Sequence, residues 1–454
     1  MSTSAREVIL GVGGYLGHDA NAALLVDGAL VAASQEERFT RRKHDGSFPH
    51  CAIHDCLAIA GLGPADVDVC VFAEKPFQTA LFDRAGRPGS VLPRALGRLL
   101  PERTAGLYTV PARALLPRAQ FRFAWHHISH VAGAFHTSPF SRAAFLCVDG
   151  KGEDYSASAG VISHGELKLL WEQPYENGLG MFYTLITYYL GFLSFGSEYK
   201  VMGLAPYGTP RHVAELSRLF TTDDRGGFRL RRETRFTWPS LMAALPWIAE
   251  QTGIPVREKS DPLDQVHIDL ATSLQQIFED EVLKMARFLR AETGEDNVLF
   301  CGGCAQNCVA AGKLRAQRIF SAVFNSPVGG DRGSGLGAAR FFERQRFAGA
   351  PFKTDTQAYD LKVIAGARAT VKEFHAMLPR SPSCPFTRMR PDIQKYLPPS
   401  RNMALKLVAF PYFPPRAQPP LDRIRKLFRG PAALPRLTTL RLQRVRDDPF
   451  RLSN

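Results

Sequence analysis

The segment that decides the fold is Val8-Ile9-Leu10-Gly11-Val12-Gly13-Gly14-Tyr15-Leu16-Gly17-His18-Asp19, near the start of the chain. Its first five residues predict a buried strand, and the glycine-rich continuation predicts a loop. Two further apolar runs, Ala22 to Val26 and Ala29 to Ala33, flank the dipeptide Asp27-Gly28. Asp-Gly between apolar runs is typical of a two-residue β-hairpin. This segment therefore predicts a unit made of a strand, a loop and a hairpin.

The same unit returns in the middle of the chain. The apolar run Ala143 to Val148 precedes the loop Asp149 to Asp154, and the strands Ser156 to Ile162 and Glu166 to Leu170 follow around a turn. Such a repeat predicts a duplicated α/β domain with two lobes, whose equivalent loops face each other across a cleft. This is the actin-like, sugar-kinase-like architecture, and we place its lobes at about residues 1–140 and 141–344.

The second half also carries a pattern suited to nucleotide binding. Apolar residues at helical spacing between Asp269 and Arg290 predict a long helix that ends at Gly294. The strand Val298 to Cys301 is followed by Gly302-Gly303 and by a predicted helix from about Asn307 to Arg315. A glycine pair before a helix N-terminus lets phosphate or ribose approach backbone N–H groups.

Composition narrows the class of protein. The chain has 454 residues, of which 45% are hydrophobic and 22% charged, as in globular proteins. It has neither an apolar run of the roughly 18 residues that a membrane span needs nor a recognisable secretory signal. Eight cysteines in so long a chain indicate a reducing compartment, and Cys301 and Cys304 have no second pair with which to form a zinc site. We therefore expect a cytoplasmic protein.

The net charge of +14 comes from one end of the chain. Residues 341–454 contain 22 Lys and Arg against 8 Asp and Glu, whereas residues 1–340 contain 35 of each. The same segment has 15 of the 32 prolines and 3 of the 38 glycines. Basic, proline-rich sequence without periodicity is typical of disorder. Residues 345–454 are therefore predicted to form an irregular Arg/Pro-rich tail, or the remnant of a truncated C-terminal domain.

Two histidines and two aspartates form the clearest candidate site. His126 and His130 are one turn apart on a predicted helix, a spacing that lets two imidazoles reach one metal ion. Histidines at this spacing also occur as ordinary core or surface residues. Asp149 and Asp331 each lie on a glycine-flanked turn after an apolar run. A set of two nitrogen and two oxygen ligands suits iron or zinc better than magnesium.

With these motifs the chain resembles the O-carbamoyltransferases of antibiotics and nodulation factors. The N-terminal domain of that family is similar to the tRNA threonylcarbamoyl-transfer protein. The resemblance covers roughly residues 7–340 and includes seven segments in order: Ile9 to Val26, Glu36 to His44, His126 to His130, Val148 to Gly150, Glu198 to Gly208, Gly302 to Asn307 and Gly330 to Ala339.

The resemblance implies a two-step reaction. Carbamoyl phosphate and ATP form carbamoyl adenylate in a C-terminal YrdC-like domain, and the carbamoyl group then moves to an acceptor hydroxyl at the N-terminal site. It also implies that the two histidines and two aspartates hold iron(II) at the nucleotide phosphates. His18 is our candidate general base, because imidazole titrates near neutral pH; the alternative is a histidine that fixes its own loop.

The resemblance also suggests nucleotide contacts. Gly150, Gly302, Gly303 and Asn307 are candidates on glycine-rich loops, and Lys43 is a candidate phosphate contact in a basic stretch that by default is solvated surface. For the segment Glu198 to Gly208 we expect a strand and a loop in the core, with a substrate wall as the alternative.

The chain departs from the family after Ala339. A phosphate-binding segment of the kind Glu-Phe-Gly-Pro-Arg-Ala-Leu-Gly is missing from its sequence. We therefore expect transfer of a carbamoyl group from carbamoyl adenylate to a small-molecule hydroxyl, with impaired activation of carbamoyl phosphate. We expect neither a membrane nor a nucleic-acid partner. Two alternatives stay open: tRNA threonylcarbamoyl transfer, and a nucleotide-binding protein without turnover.

Overall fold

The computed structural model describes residues 6–75, 101–153, 155–175, 178–232, 234 and 238–347, all within one compact unit. The prediction of an irregular tail therefore lies outside the described residues. The strands are β1 Val8–Gly13, β2 Asn21–Val26, β3 Ala29–Gln35, β4 Val69–Phe72, β5 Gln120–Phe123, β6 Arg142–Val148, β7 Tyr155–Ser163, β8 Glu166–Pro174, β9 Phe220–Thr222, β10 Phe228–Leu230, β11 Asn297–Cys301 and β12 Ala322–Asn325.

Eleven α-helices occur in the same part of the chain. They are α1 Glu37–Thr40, α2 His50–Ala60, α3 Pro101–Leu115, α4 His126–Thr137, α5 Leu179–Tyr189, α6 Glu198–Leu204, α7 Val213–Ser217, α8 Trp238–Thr252, α9 Gln265–Thr293, α10 Cys308–Ala316 and α11 Ser334–Phe347. None of the helices that the structure describes is both long and apolar enough to cross a bilayer.

Two five-stranded sheets repeat one topology. The first has the order β3-β2-β1-β4-β5, and the second, read from its antiparallel side, has the order β8-β7-β6-β11-β12. In each sheet three antiparallel strands come first in sequence, and two parallel strands extend the sheet. Asp27 and Gly28 both have positive φ, as the predicted hairpin turn requires. The predicted duplicated, two-lobed α/β fold of the actin-like class is confirmed.

Helices cover both faces of each sheet. On the first sheet, α2 and α3 pack against one face and α11 against the other. On the second, α5, α8 and α9 pack against one face and α4 against the other. Thus α4 precedes the second sheet in sequence and packs on it, while α11 follows the second sheet and packs on the first. These two helices contact each other between the sheets.

One local prediction is wrong. The segment predicted as strand and loop, Glu198 to Gly208, forms α6 and a short 3₁₀ helix over Ala205–Tyr207. Val201 is buried whereas Tyr199 is 63% exposed, which is the pattern of a helix with one face in the core. The residue before it, Ser197, and the acidic Glu198 in the first turn are typical of a helix start.

Candidate metal centre and transfer site

The structure brings the four predicted metal ligands together. Because α4 begins at His126, His126 and His130 lie one turn apart, and their Nε2 atoms are 2.9 Å from each other. Asp149 immediately follows β6, and Asp331 begins the 3₁₀ turn that leads into α11. One ligand atom from each of the four residues lies within 4.8 Å of the others.

The distances between these atoms fit a single ion. His130 Nε2 is 3.0 Å from Asp149 Oδ2 and 3.2 Å from Asp331 Oδ1. His126 Nε2 is 3.4 Å from Asp149 Oδ2 and 3.0 Å from Asp331 Oδ1. Two ligands about 2.1 Å from an ion lie about 3.0 Å apart at a right angle and about 3.4 Å apart at a tetrahedral angle. The four residues therefore fit one transition-metal ion.

In this cluster the two histidines can offset the negative charge of the two aspartates. Burial alone would lower the pKa of His130, but the carboxylates of Asp149 and Asp331 outweigh it and raise this pKa to about 9. The same carboxylates raise the pKa of His126 well above its usual value. Asp149 Oδ2 and Asp331 Oδ1 are buried, and within the described part of the chain neither accepts a hydrogen bond of normal geometry. Without an ion the site holds protons where a cation would bind.

Two buried polar residues that the sequence analysis missed support the ligands. The carboxylate of Glu153 accepts a hydrogen bond of 2.9 Å from the backbone N–H of His126, which caps the start of α4. The side chain of Asn21 donates to the carbonyl of Asp331 at 2.8 Å and accepts from the N–H of Gly335 at 3.0 Å. The sequence offered two signals for them: Glu153 is an acidic residue in the glycine-containing loop after β6, and Asn21 is a polar residue at the start of an apolar strand.

His18 lies beside the metal cluster. Its Nε2 is 3.0 Å from Asp331 Oδ2, its Nδ1 is 2.9 Å from Asp19 Oδ2, and its side chain is 34% exposed. Burial acts to lower the pKa of His18, but the charge of Asp331 and the hydrogen bond with Asp19 together raise it to about 9. The imidazole can therefore contact both the metal-ligand cluster and a molecule that enters from solvent.

Asp19 joins three cationic or hydrogen-bonding groups and was not singled out from the sequence. Besides His18, its carboxylate lies 3.2 Å from His44 Nδ1 and 3.3 Å from Arg332 Nε. The ring of Phe195 packs 4.6 Å from that of His18 and 5.4 Å from that of His44, between ring centroids. We call Asp19, His18, His44 and Arg332 the Asp19 network.

Three predicted nucleotide contacts are glycines around Asp149. The N–H of Gly150 donates to Asp149 Oδ1 at 2.7 Å, so it holds this carboxylate in place. A Cβ atom on Gly303 would lie 2.8 Å from the same oxygen. Gly302 has a φ of 89° and its N–H donates to the carbonyl of Gly329. The glycines allow the loop to close around the carboxylate, and their contact with a nucleotide stays a prediction.

The other two candidates have partners away from the cluster. The side chain of Asn307 accepts from the N–H of Ala310, which caps α10, and exchanges hydrogen bonds with Gln275 of α9. Lys43 is 80% exposed and lies 3.3 Å from Glu37. Their roles toward a nucleotide stay predictions as well.

Comparison with known proteins identifies the family. Residues 8–84 and 107–340 match the family described as carbamoyltransferase N-terminus. The chain therefore belongs to the carbamoyltransferase N-terminal family. The resemblance inferred from the seven motif segments is confirmed.

Curated relatives are nodulation proteins and an uncharacterized protein. The chain is 39% identical over 347 residues to the uncharacterized protein sll1178 of Synechocystis, which covers 73% of this chain and 56% of that protein. It is 33% identical over 361 residues to the nodulation protein NolNO of Sinorhizobium fredii, covering 79% of this chain and 51% of that protein. The chain thus spans about half the length of these relatives.

Two solved structures align with this chain at low similarity. Component A of (R)-2-hydroxyglutaryl-CoA dehydratase from Acidaminococcus fermentans aligns with a TM-score of 0.41 and 15% identity, over 74% of this chain and 99% of that one. HypF of T. kodakarensis aligns with a TM-score of 0.37 and 14% identity, over 77% of this chain and 49% of that one.

Proposed function

We propose that this domain transfers a carbamoyl group from carbamoyl adenylate to a hydroxyl group of a small-molecule acceptor, such as an antibiotic or a sugar. The observation that carries the proposal is the position of His18: its Nε2 lies 3.0 Å from Asp331, one of four residues that fit a metal ion, and it is open to solvent. A general base must lie within hydrogen-bond reach of both the reacting atoms and solvent.

The site residues have distinct tasks in the transfer step. The acceptor oxygen bonds to the carbamoyl carbon, the bond from that carbon to the phosphate oxygen breaks, and AMP leaves with its electron pair. His18 accepts the hydroxyl proton, and its Nδ1, held by Asp19, keeps the ring in place. Held by His126, His130, Asp149 and Asp331, a divalent cation would neutralise charge on the leaving phosphate and offset the charge of Asp331 beside His18.

We propose His126, His130, Asp149 and Asp331 as ligands of this cation, with iron(II) as the metal. Support comes from the mixed nitrogen and oxygen donors, which suit iron or zinc better than magnesium. The identity of iron itself rests on the family resemblance. Metal content measured after anaerobic loading with iron(II), zinc or magnesium distinguishes these ions.

The function is tested with preformed carbamoyl adenylate. The purified full chain, loaded with iron(II), receives carbamoyl adenylate and an aminoglycoside or polyol, and mass spectrometry follows the carbamoylated product while AMP release is measured. We expect product formation to fall at least about a hundredfold in His18→Asn. His54→Asn, which alters an exposed histidine of α2, is the matched control.

Two results would overturn the proposal. One is AMP release with no carbamoylated product, because the protein would then only hydrolyse the adenylate. The other is product formation by His18→Asn at the rate of the unmodified chain.

A further inference from the structure

Asp19 occupies an unusual backbone position at the centre of the site. Its φ is 60°, in the left-handed region that few residues other than glycine, asparagine and aspartate adopt. The residue is only 7% exposed, and both of its carboxylate oxygens face cationic or hydrogen-bonding groups.

The Asp19 network links the loop of the first sheet to the turn that carries a metal ligand. Arg332 directly follows Asp331, so its ion pair with Asp19 at 3.3 Å also holds the turn that carries Asp331. The ring of His44 packs edge-on against the ring of Phe195. Gly196 leaves room for the His44 ring, because a Cβ atom at this position would lie 2.8 Å from His44 Nε2. The surrounding residues therefore shape a fixed arrangement of rings.

We propose that Asp19 is a positioning residue: through Nδ1 it holds the imidazole of His18 beside Asp331, and it locks Arg332 and His44 around the same point. The proposal rests on the proposed function only for the role of His18 in transfer. Its structural part, the orientation of the imidazole, is independent of which acceptor the protein uses.

A second metal ion is the competing interpretation of the same residues. Atoms of His18, Asp19 and His44 lie within 4.8 Å of one another, close enough to ligate a cation. However, the guanidinium of Arg332 already places a positive charge 3.3 Å from Asp19. Like charges so close repel, which favours a hydrogen-bonded network. The number of metal ions bound per chain separates the two interpretations.

The test uses Asp19→Asn in the full chain. Asparagine tolerates the left-handed backbone and keeps the size of the side chain, but it removes the negative charge. We expect kcat for transfer from carbamoyl adenylate to fall about tenfold to a hundredfold, with KM nearly unchanged and one metal ion per chain as in the unmodified protein. Nitrogen-15 NMR of histidine-labelled protein should show a changed chemical shift of His18 Nδ1, because its hydrogen bond to a charged carboxylate is replaced by one to a neutral amide.

Asp45→Asn is the matched control. Asp45 is also buried, its backbone carbonyl accepts from the N–H of Ala20 next to Asp19, and its carboxylate accepts from Ser47. This variant should keep the kcat and the His18 spectrum of the unmodified chain.

The outcomes separate the two levels of the proposal. An unchanged His18 spectrum in Asp19→Asn, or two metal ions per chain with one lost in His44→Ala, would overturn the positioning role. If the unmodified chain makes no carbamoylated product but the spectrum changes as expected, the proposed function fails and the positioning role stands.

Discussion

Four ionisable side chains meet at one buried point, and their arrangement is stable only when their charges balance. The neighbouring imidazoles hold the pKa values of Asp149 and Asp331 well below the usual range in spite of burial. A buried carboxylate that loses its partner costs several kcal/mol. The site therefore requires either protonated histidines or a bound cation.

This requirement predicts the behaviour of a double variant. In His126→Ala/His130→Ala the carboxylates lose both imidazoles, and two of the four ligands disappear. We expect the metal content, measured by plasma mass spectrometry after anaerobic loading, to fall from about one ion per chain to nearly none. His54→Ala, on the exposed side of α2, should bind as much metal as the unmodified chain. Equal metal content in the double variant would remove these residues as ligands.

For individual residues, the sequence predicts the proposed metal ligands better than it predicts the residues that contact each other around them. The spacing of His126 and His130 on a helix is local, and the structure shows both Nε2 atoms facing one point. The contact between Asp19 and Arg332 joins residues 313 positions apart, so no local pattern encodes it. Its only signals were the His18-Asp19 dipeptide and an arginine after a candidate ligand. Such contacts depend on how the two sheets are placed, which a motif does not specify.

At the scale of elements, the crossing of α4 and α11 brings the ligands of the two halves together. The helices approach so closely that a Cβ on Gly337 would lie 1.7 Å from the carbonyl oxygen of Ser129. A Cβ on Gly133 would lie 3.5 Å from the Cα of Gly337. Small residues at this crossing therefore set the distance between His130 on α4 and the turn of Asp331 before α11.

We therefore expect Gly337→Ala to destabilise the protein. The added methyl must move one helix, and overpacking of this kind costs about 3 kcal/mol or more where backbone is the obstacle. Gly312→Ala in α10 is the control, because no atom of the described residues outside its own stretch of helix lies within 4 Å of its Cβ position, and alanine favours a helix by about 1 kcal/mol. Urea unfolding measures both. A loss of stability in Gly312→Ala equal to that in Gly337→Ala would contradict the close-crossing explanation.

The same pair of helices gives a pH dependence. Burial in α4, together with the charges of Arg340 and Arg344 on α11, lowers the pKa of His136 from 6.5 to about 4. In the unfolded chain His136 gains its proton near pH 6.5, so between pH 6.5 and 4 the unfolded state binds more protons. The free energy of unfolding therefore falls as the pH falls through this window, with a slope of at most about 1.4 kcal/mol per pH unit from this residue.

His136→Gln should flatten that slope, because glutamine does not titrate. Urea midpoints measured from pH 7 to pH 4 check the expectation, and above pH 7 the variant should differ little from the unmodified chain. An equally steep decline in both proteins would show that His136 is not responsible.

Helices and strands with strong sequence signals were predicted correctly. The long helix predicted from Asp269 to Arg290 is Gln265–Thr293, and Gly294 ends it in the left-handed conformation as expected. The prediction for the segment that begins at Glu198 was wrong, because its short run of Val, Met and Leu suits either a strand or a helix. Only its place against α5 and α9, which the sequence does not give, decides between them.

For the whole molecule, the duplicated sheets place the four proposed ligands beside the Asp19 network. Residues 348–454 lie outside the described structure, and the family match stops at residue 340. The curated relatives are about twice as long as the matched region. The transfer step that we propose uses residues 18–331, so the activation step is a separate question for this chain.

The corresponding prediction concerns activation. Forming carbamoyl adenylate requires a preorganised clamp for carbamoyl phosphate and ATP, usually of arginines held by strands and glycine turns. Residues 345–454 contain arginines but only 3 glycines. The full chain, given carbamoyl phosphate, ATP and iron(II), should therefore exchange no pyrophosphate into ATP, whereas it should transfer the carbamoyl group of supplied carbamoyl adenylate. Pyrophosphate exchange that depends on carbamoyl phosphate would instead show that residues 345–454 form a working nucleotide site.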